Sequence, residues 1–179
     1  MEMSSRELWT VLHGMVFGAA YLLAFTGGFI AMWDFRSNWI VGEGVKVAAR
    51  RLMVWTWAMA ILAWLTVIVG TYVVYPWYRA NPPPGTIGTP LMQYPKHLLL
   101  SDPHTAEWHE FGMEWKEHIA WLAPILATAV ALLVTRYHER IAVDAHVRRA
   151  LLTLYTLAFL TASVAGLMGA LINKAAPVR

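Results

Sequence analysis

Two stretches of this sequence place reactive side chain types in unusual company. His13 lies inside a run from Leu8 to Trp33 that has no Asp, Glu, Lys or Arg. It sits five residues past Leu8, roughly 7 to 8 Å along a helix. An ionisable group inside such a run is a functional hypothesis by default. The plain alternative is a neutral imidazole hydrogen-bonded to a neighbouring helix. The second stretch, residues 107–118, reads EWHEFGMEWKEH. As a helix it sets Glu110, Glu114 and His118 in one i, i+4, i+8 stripe, flanked by Glu107 and Glu117, with His109 and Met113 on an adjacent face.

Three chemistries fit these residues. Two imidazoles at matching depth on two spans are what a bis-His haem b needs, and His13 and His118 would be its axial ligands. Glu114 or Glu117 would then orient a ligand or accept protons from a quinol. A metal ion without porphyrin would instead take His109, Glu110, Glu114 and His118. The alternative is a solvated first turn, since acidic residues favour helix N-termini and Lys116 can pair with a nearby Glu. No catalytic residue is assigned, and the chain reads as an electron-transfer or accessory subunit rather than a stand-alone enzyme.

The elements that must position these groups follow from composition. Of 179 residues, 58% are hydrophobic and 14% charged, which a water-soluble globule of this size rarely shows. Ten Trp and seven Tyr gather near the ends of the apolar runs, where amphipathic rings favour the headgroup region. The absence of cysteine excludes disulfides, thiolate metal sites, iron–sulfur clusters and covalently attached c-type haem from this chain. The net charge of +3 does not point to nucleic acid, because Lys and Arg sit in short loops between apolar runs.

The expected fold is an all-α integral membrane protein, a single four-transmembrane-helix bundle with one long extracytoplasmic loop. Spans are expected at about 8–33, 52–75, 115–136 and 150–173, with the outer loop at about 76–106. Pro124 should kink the third span, whose helix begins somewhere in 107–117. The outer loop holds seven of the nine prolines and should be irregular, and a loop this long usually serves a purpose. Gly14 with Gly18, Gly27 with Gly28, and Ala162 with Gly166 and Ala170 are expected at helix contacts. Aromatics including Tyr75 and Trp77 gather at the outer rim, where they anchor the helices or stack on a ligand.

The first loop (Arg36, Lys46, Arg50, Arg51) and the third (Arg136, Arg140, Arg148, Arg149) carry eight basic residues against six elsewhere. The positive-inside rule puts those loops in the cytoplasm and both termini outside, in a bacterial inner membrane. The layout is generically similar to membrane b-type cytochromes and to small anchor subunits of respiratory complexes, an analogy of architecture that carries over no residue. The leading expectation is a membrane electron-transfer subunit that binds haem b, contacts quinone, or both, near the outer face. It would work with protein partners in a membrane complex. A structural or assembly subunit and a membrane metal-binding protein are the alternatives.

Overall fold

The structure is a computed structural model that describes residues 3–36 and 43–178, and among these there is no strand. Four helices are long and apolar enough to cross a membrane: α1 (Ser5–Asp34), α2 (Gly44–Tyr78), α4 (Pro103–Val143) and α5 (Ala145–Ala175). At 30, 35, 41 and 31 residues, each exceeds the roughly 20 that a hydrocarbon core requires. The short α3 (Pro95–Leu100) lies between α2 and α4. Many large apolar side chains stay exposed, among them Leu23, Val54, Leu132 and Leu167, as lipid-facing positions do.

Local chemistry sets the helix ends. Ser4 closes a capping box at α1: its backbone N–H donates to Glu7 Oε2 (2.8 Å) and its hydroxyl accepts from the Glu7 N–H (3.2 Å). Asp102 caps α4 by accepting from the His104 N–H at 2.9 Å, and Pro103 occupies the first helical position, where its missing N–H costs nothing. This Asp-Pro start extends the helix ahead of the expected 107–117. Asp144 separates α4 from α5 and caps α5 through the N–H groups of His146 (2.9 Å) and Val147 (3.2 Å). The expected third loop thus shrinks to one residue between helical turns.

Pro124 acts as expected but upstream of itself. It lacks the N–H that would bond the Ala120 carbonyl, and the α-helical pattern is interrupted at residues 120–121. A second irregularity lies at Tyr137, with φ −125° and ψ 22°. The connection between α2 and α4 is shorter than expected, because α2 runs on to Tyr78 and α4 begins at Pro103. It is not wholly irregular, containing a 3-10 turn (Thr89–Gln93) and α3.

The chain divides into two compact units. One comprises residues 19–64 and 121–162. Its core is small and aliphatic, with Ala24, Ala60, Ala63, Ala127, Ala131 and Ala158 buried beside Leu52, Met59, Val130 and Tyr155. Tyr155 on α5 donates to the Ala24 carbonyl on α1, and Tyr21 on α1 donates to the Ala158 carbonyl on α5, both at 3.0 Å. Trp57 and Trp64 on α2 donate to Thr135 and Thr128 on α4, again at 3.0 Å. Such bonds between helices are worth about 0.6 kcal/mol each in a bilayer, so packing carries most of the association. Gly27 and Gly28 make the close approaches: a Cβ on Gly27 would lie 2.6 Å from the Trp55 ring, and one on Gly28 would collide with the Tyr155 hydroxyl.

Gly14, Gly18 and Gly166 do not make the expected contacts, since a Cβ on any of them meets nothing within 4 Å. A small residue permits close approach but cannot compel it, and the partner helix must also offer a side chain shaped to fill the gap.

Candidate functional site

The second unit comprises residues 1–18, 65–120 and 163–179, and so holds every side chain singled out for chemistry. Three of its helical segments wind as π turns: Leu12–Val16 in α1, Gly70–Val74 in α2 and Trp108–Met113 in α4. The amide of Phe17 reaches back five residues to the Leu12 carbonyl, and that of Tyr75 to Gly70. Pro76, which lacks an N–H, follows the second of these. Single π turns occur frequently at functional sites. The first carries His13, the second Gly70, on which the His13 ring lies, and the third His109 of a neighbouring pair.

His13 is half-buried, and its ring lies on Gly70, where a Cβ would stand 2.6 Å from Cε1. One edge of the ring faces the Thr66 backbone carbonyl. Its Nδ1 is fully buried with no hydrogen-bond partner. A buried polar atom left unpaired costs about 1–3 kcal/mol, so an orphan of this kind calls for an explanation.

Lys116 on α4 lies within electrostatic reach of His13 and of its neighbour Glu117. Its stem rests on Gly169 of α5, where a Cβ would come 2.9 Å from Nζ. Glu117 supplies the second orphan: Oε1 is buried without a partner. The Tyr75 hydroxyl faces the same carboxylate and accepts a 2.8 Å hydrogen bond from Arg79 Nη1, with the Arg79 guanidinium 5.3 Å above the Tyr75 ring. A cation, a carboxylate, an imidazole and a phenol thus share electrostatic reach, and two of their acceptor-capable atoms are unused.

Beside this cluster lies a satisfied one. Tyr78 and His109 are both buried and share a 2.9 Å hydrogen bond between the hydroxyl and Nδ1. Tyr75 stacks on Tyr78 with ring centres 6.2 Å apart. Leu99 of α3 joins Met113, Ile172 and Ala176 in one buried apolar cluster with Tyr78. The connection between α2 and α4 therefore contributes to burial, because α3 packs Leu99 into the cluster that holds Tyr78. Asn81 tethers α3 through His97 Nε2 at 3.1 Å.

The residues expected from sequence are treated unequally. His13 and Glu117 are drawn into the cluster. His118 is exposed, with its Nδ1–H donating to the Glu114 carbonyl one turn earlier at 2.6 Å, and its Nε2 is left with the lone pair. The α4 side chain acting on His13 is Lys116. Glu110 and Glu114 are exposed and His109 turns to Tyr78. Among the described residues no group of three or more His, Cys, Asp or Glu is gathered to hold a metal ion. The structure thus does not assemble His109, Glu110, Glu114 and His118, because the first is committed to a buried hydroxyl and the others point outward.

Sequence reasoning missed Tyr78, Gly70 and the role of Lys116. Two signals were present. A lysine beside Trp115 and three residues ahead of an apolar run lies at the edge of a span, where water is scarce, and a Tyr-Pro-Trp-Tyr sequence at a span end places phenols at two successive turns. No family model matches the chain, and neither a curated protein nor a solved structure is similar to it at a significant level.

Proposed function

We propose that this chain is a membrane electron-transfer subunit that contacts a quinone at the cluster of His13, Lys116, Glu117 and Tyr75. The observation that carries the reading is the pair of buried, unpartnered atoms, His13 Nδ1 and Glu117 Oε1, beside Lys116. A quinone ring is flat and apolar with oxygens at opposite edges, so it enters a lipid-facing helix cluster readily and exchanges hydrogen bonds at both ends. Four candidate crossings are an even number, which supports both helical ends and the α2–α4 connection on one face, taken as the outer one. The basic residues near 36–51 and 136–149 support the opposite, cytoplasmic side for those segments in a bacterial inner membrane.

Haem b is the second form of the same reading, and one observation favours it. The Nδ1–H of His118 is bonded to a backbone carbonyl, which fixes the tautomer that offers Nε2 to a metal. His13 would supply the other axial nitrogen.

The test is an absorption spectrum of detergent-purified protein, oxidised and then dithionite-reduced, with a pyridine haemochrome assay and quinone extraction on the same sample. Reduced b-type bands near one haem per chain, lost in His13→Ala and His118→Ala, would support the haem form. Stoichiometric quinone without haem would support quinone contact alone. A folded protein with neither, and with no affinity for added quinone or quinol, would overturn the proposal. It would leave a structural subunit of a larger complex.

A further inference from the structure

The unpaired atoms at the cluster have a direction as well as a location. A backbone carbonyl only accepts, so the imidazole edge of His13 facing Thr66 carries the ring N–H. A neutral imidazole has one N–H. Nδ1, buried without a partner, therefore presents a lone pair. Glu117 Oε1, a carboxylate oxygen beside the Lys116 ammonium, is also an acceptor. Both unmet needs are for a donor.

The two redox forms of a quinone differ in this property alone at their oxygens. A quinol brings two O–H donors and a quinone brings two carbonyl acceptors. On this basis we infer that the cluster selects the quinol, the reduced dihydroxy-aromatic form, over the quinone, with one hydroxyl donating to His13 and the other to Glu117. The selectivity rests on the quinone-contact reading above and adds the redox form of the ligand to it.

Lys116 does not reverse this preference. Its ammonium can donate to a quinone carbonyl, but that leaves both orphan acceptors facing a ring with nothing to give them. A quinol satisfies both and leaves Lys116 beside the carboxylate it already attends. A site built to meet hydrogen-bond donors rejects an analogue that lacks them, because its own polar groups are then stranded. One hydrogen bond of ordinary strength is worth roughly tenfold in affinity. With two at stake, a quinol should bind at least about tenfold more tightly than the matching quinone.

The test uses the full chain in detergent under anaerobic conditions, titrated calorimetrically with tail-free 2,3-dimethoxy-5-methyl-1,4-benzoquinol and, separately, with its quinone. Tighter quinol binding by about tenfold or more is the expected result. Glu117→Gln, which places a donor where the acceptor was, should bring the two affinities together. Equal affinities, or tighter quinone, would overturn the selectivity while leaving quinone contact intact. Binding of neither form would overturn both. Should Glu117→Gln fail to fold, His13→Gln is the substitute, and the comparison on the parent protein stands without either variant.

Discussion

Gly70→Ala isolates the seat of His13. An added Cβ would stand 2.6 Å from Cε1, 3.2 Å from Nε2 and 3.4 Å from Nδ1. Carbon atoms rest comfortably at roughly 3.5–4.0 Å, so the ring must retreat by about 1 Å. Overpacking of this kind costs about 1–3 kcal/mol. Against it stands the helix preference for Ala over Gly, about 1 kcal/mol. The parent should therefore lose up to about 2 kcal/mol on Gly70→Ala. In a His13→Ala background, where the obstructing ring is gone, the same change should stabilise by up to about 1 kcal/mol. The assay is reversible unfolding of the four proteins in one detergent, analysed as a double-mutant cycle. An effect of the same sign and size in both backgrounds would refute the placement of His13 on Gly70. Gly169→Ala is the control: its Cβ would press on the flexible end of Lys116, and the cost of displacing that end is offset by the roughly 1 kcal/mol by which a helix prefers Ala, so a net change within about 0.5 kcal/mol is expected.

Tyr78→Phe should cost about 1–3 kcal/mol in the same unfolding assay, because it strands a buried nitrogen of His109, and pairing it with His109→Leu should recover part of that loss. Gly28→Ala drives a methyl into the Tyr155 hydroxyl and breaks its bond to the Ala24 carbonyl. A loss of about 2–4 kcal/mol is expected, smaller when Tyr155→Phe is already present. Two backbone N–H groups, from Val147 and His146, hold the Asp144 carboxyl below its usual range. A depressed carboxyl contributes stability that is present above its unfolded pKa and lost as pH falls through the folded one. The melting temperature of the parent should accordingly fall with acidification below the usual carboxylate range more than that of Asp144→Asn, whose neutral cap does not titrate. Parallel curves would remove this role.

The four helices long and apolar enough to cross a membrane were legible because composition marks them: charge-free runs of this length are rare in water-soluble folds. The interior of the cluster was less so. Lys116 read as a surface partner for a neighbouring Glu because sequence spacing locates charges along a helix but does not show what lies across from them. Only the absent side chain at Gly169 explains why its stem can settle there. The stripe of Glu110, Glu114 and His118 looked like a ligand set because an ideal α-helix was assumed through residues 108–113, which wind as a π turn and commit His109 to Tyr78. Gly14 and Gly18 looked like a contact motif, whereas the close approach falls on Gly70 of another helix, a lone glycine with no spacing signal.

The π turns bear on what insertion and deletion would do. Each is an α-helix holding one residue too many, and an α-helix turns through about 100° per residue. Deleting a residue within 12–16 would restore the ordinary ladder and leave a helix of nearly the same length. Residues on the amino side would keep nearly their present direction, and Arg6 would stay over the Trp77 ring, where its guanidinium now lies at 6.0 Å, whereas the same deletion in a regular stretch would swing them by about 100°. In these three segments, chain length has slack: one residue can be removed without re-aiming the side chains on either side, whereas in a regular stretch the same deletion would turn every residue beyond it away from its partner.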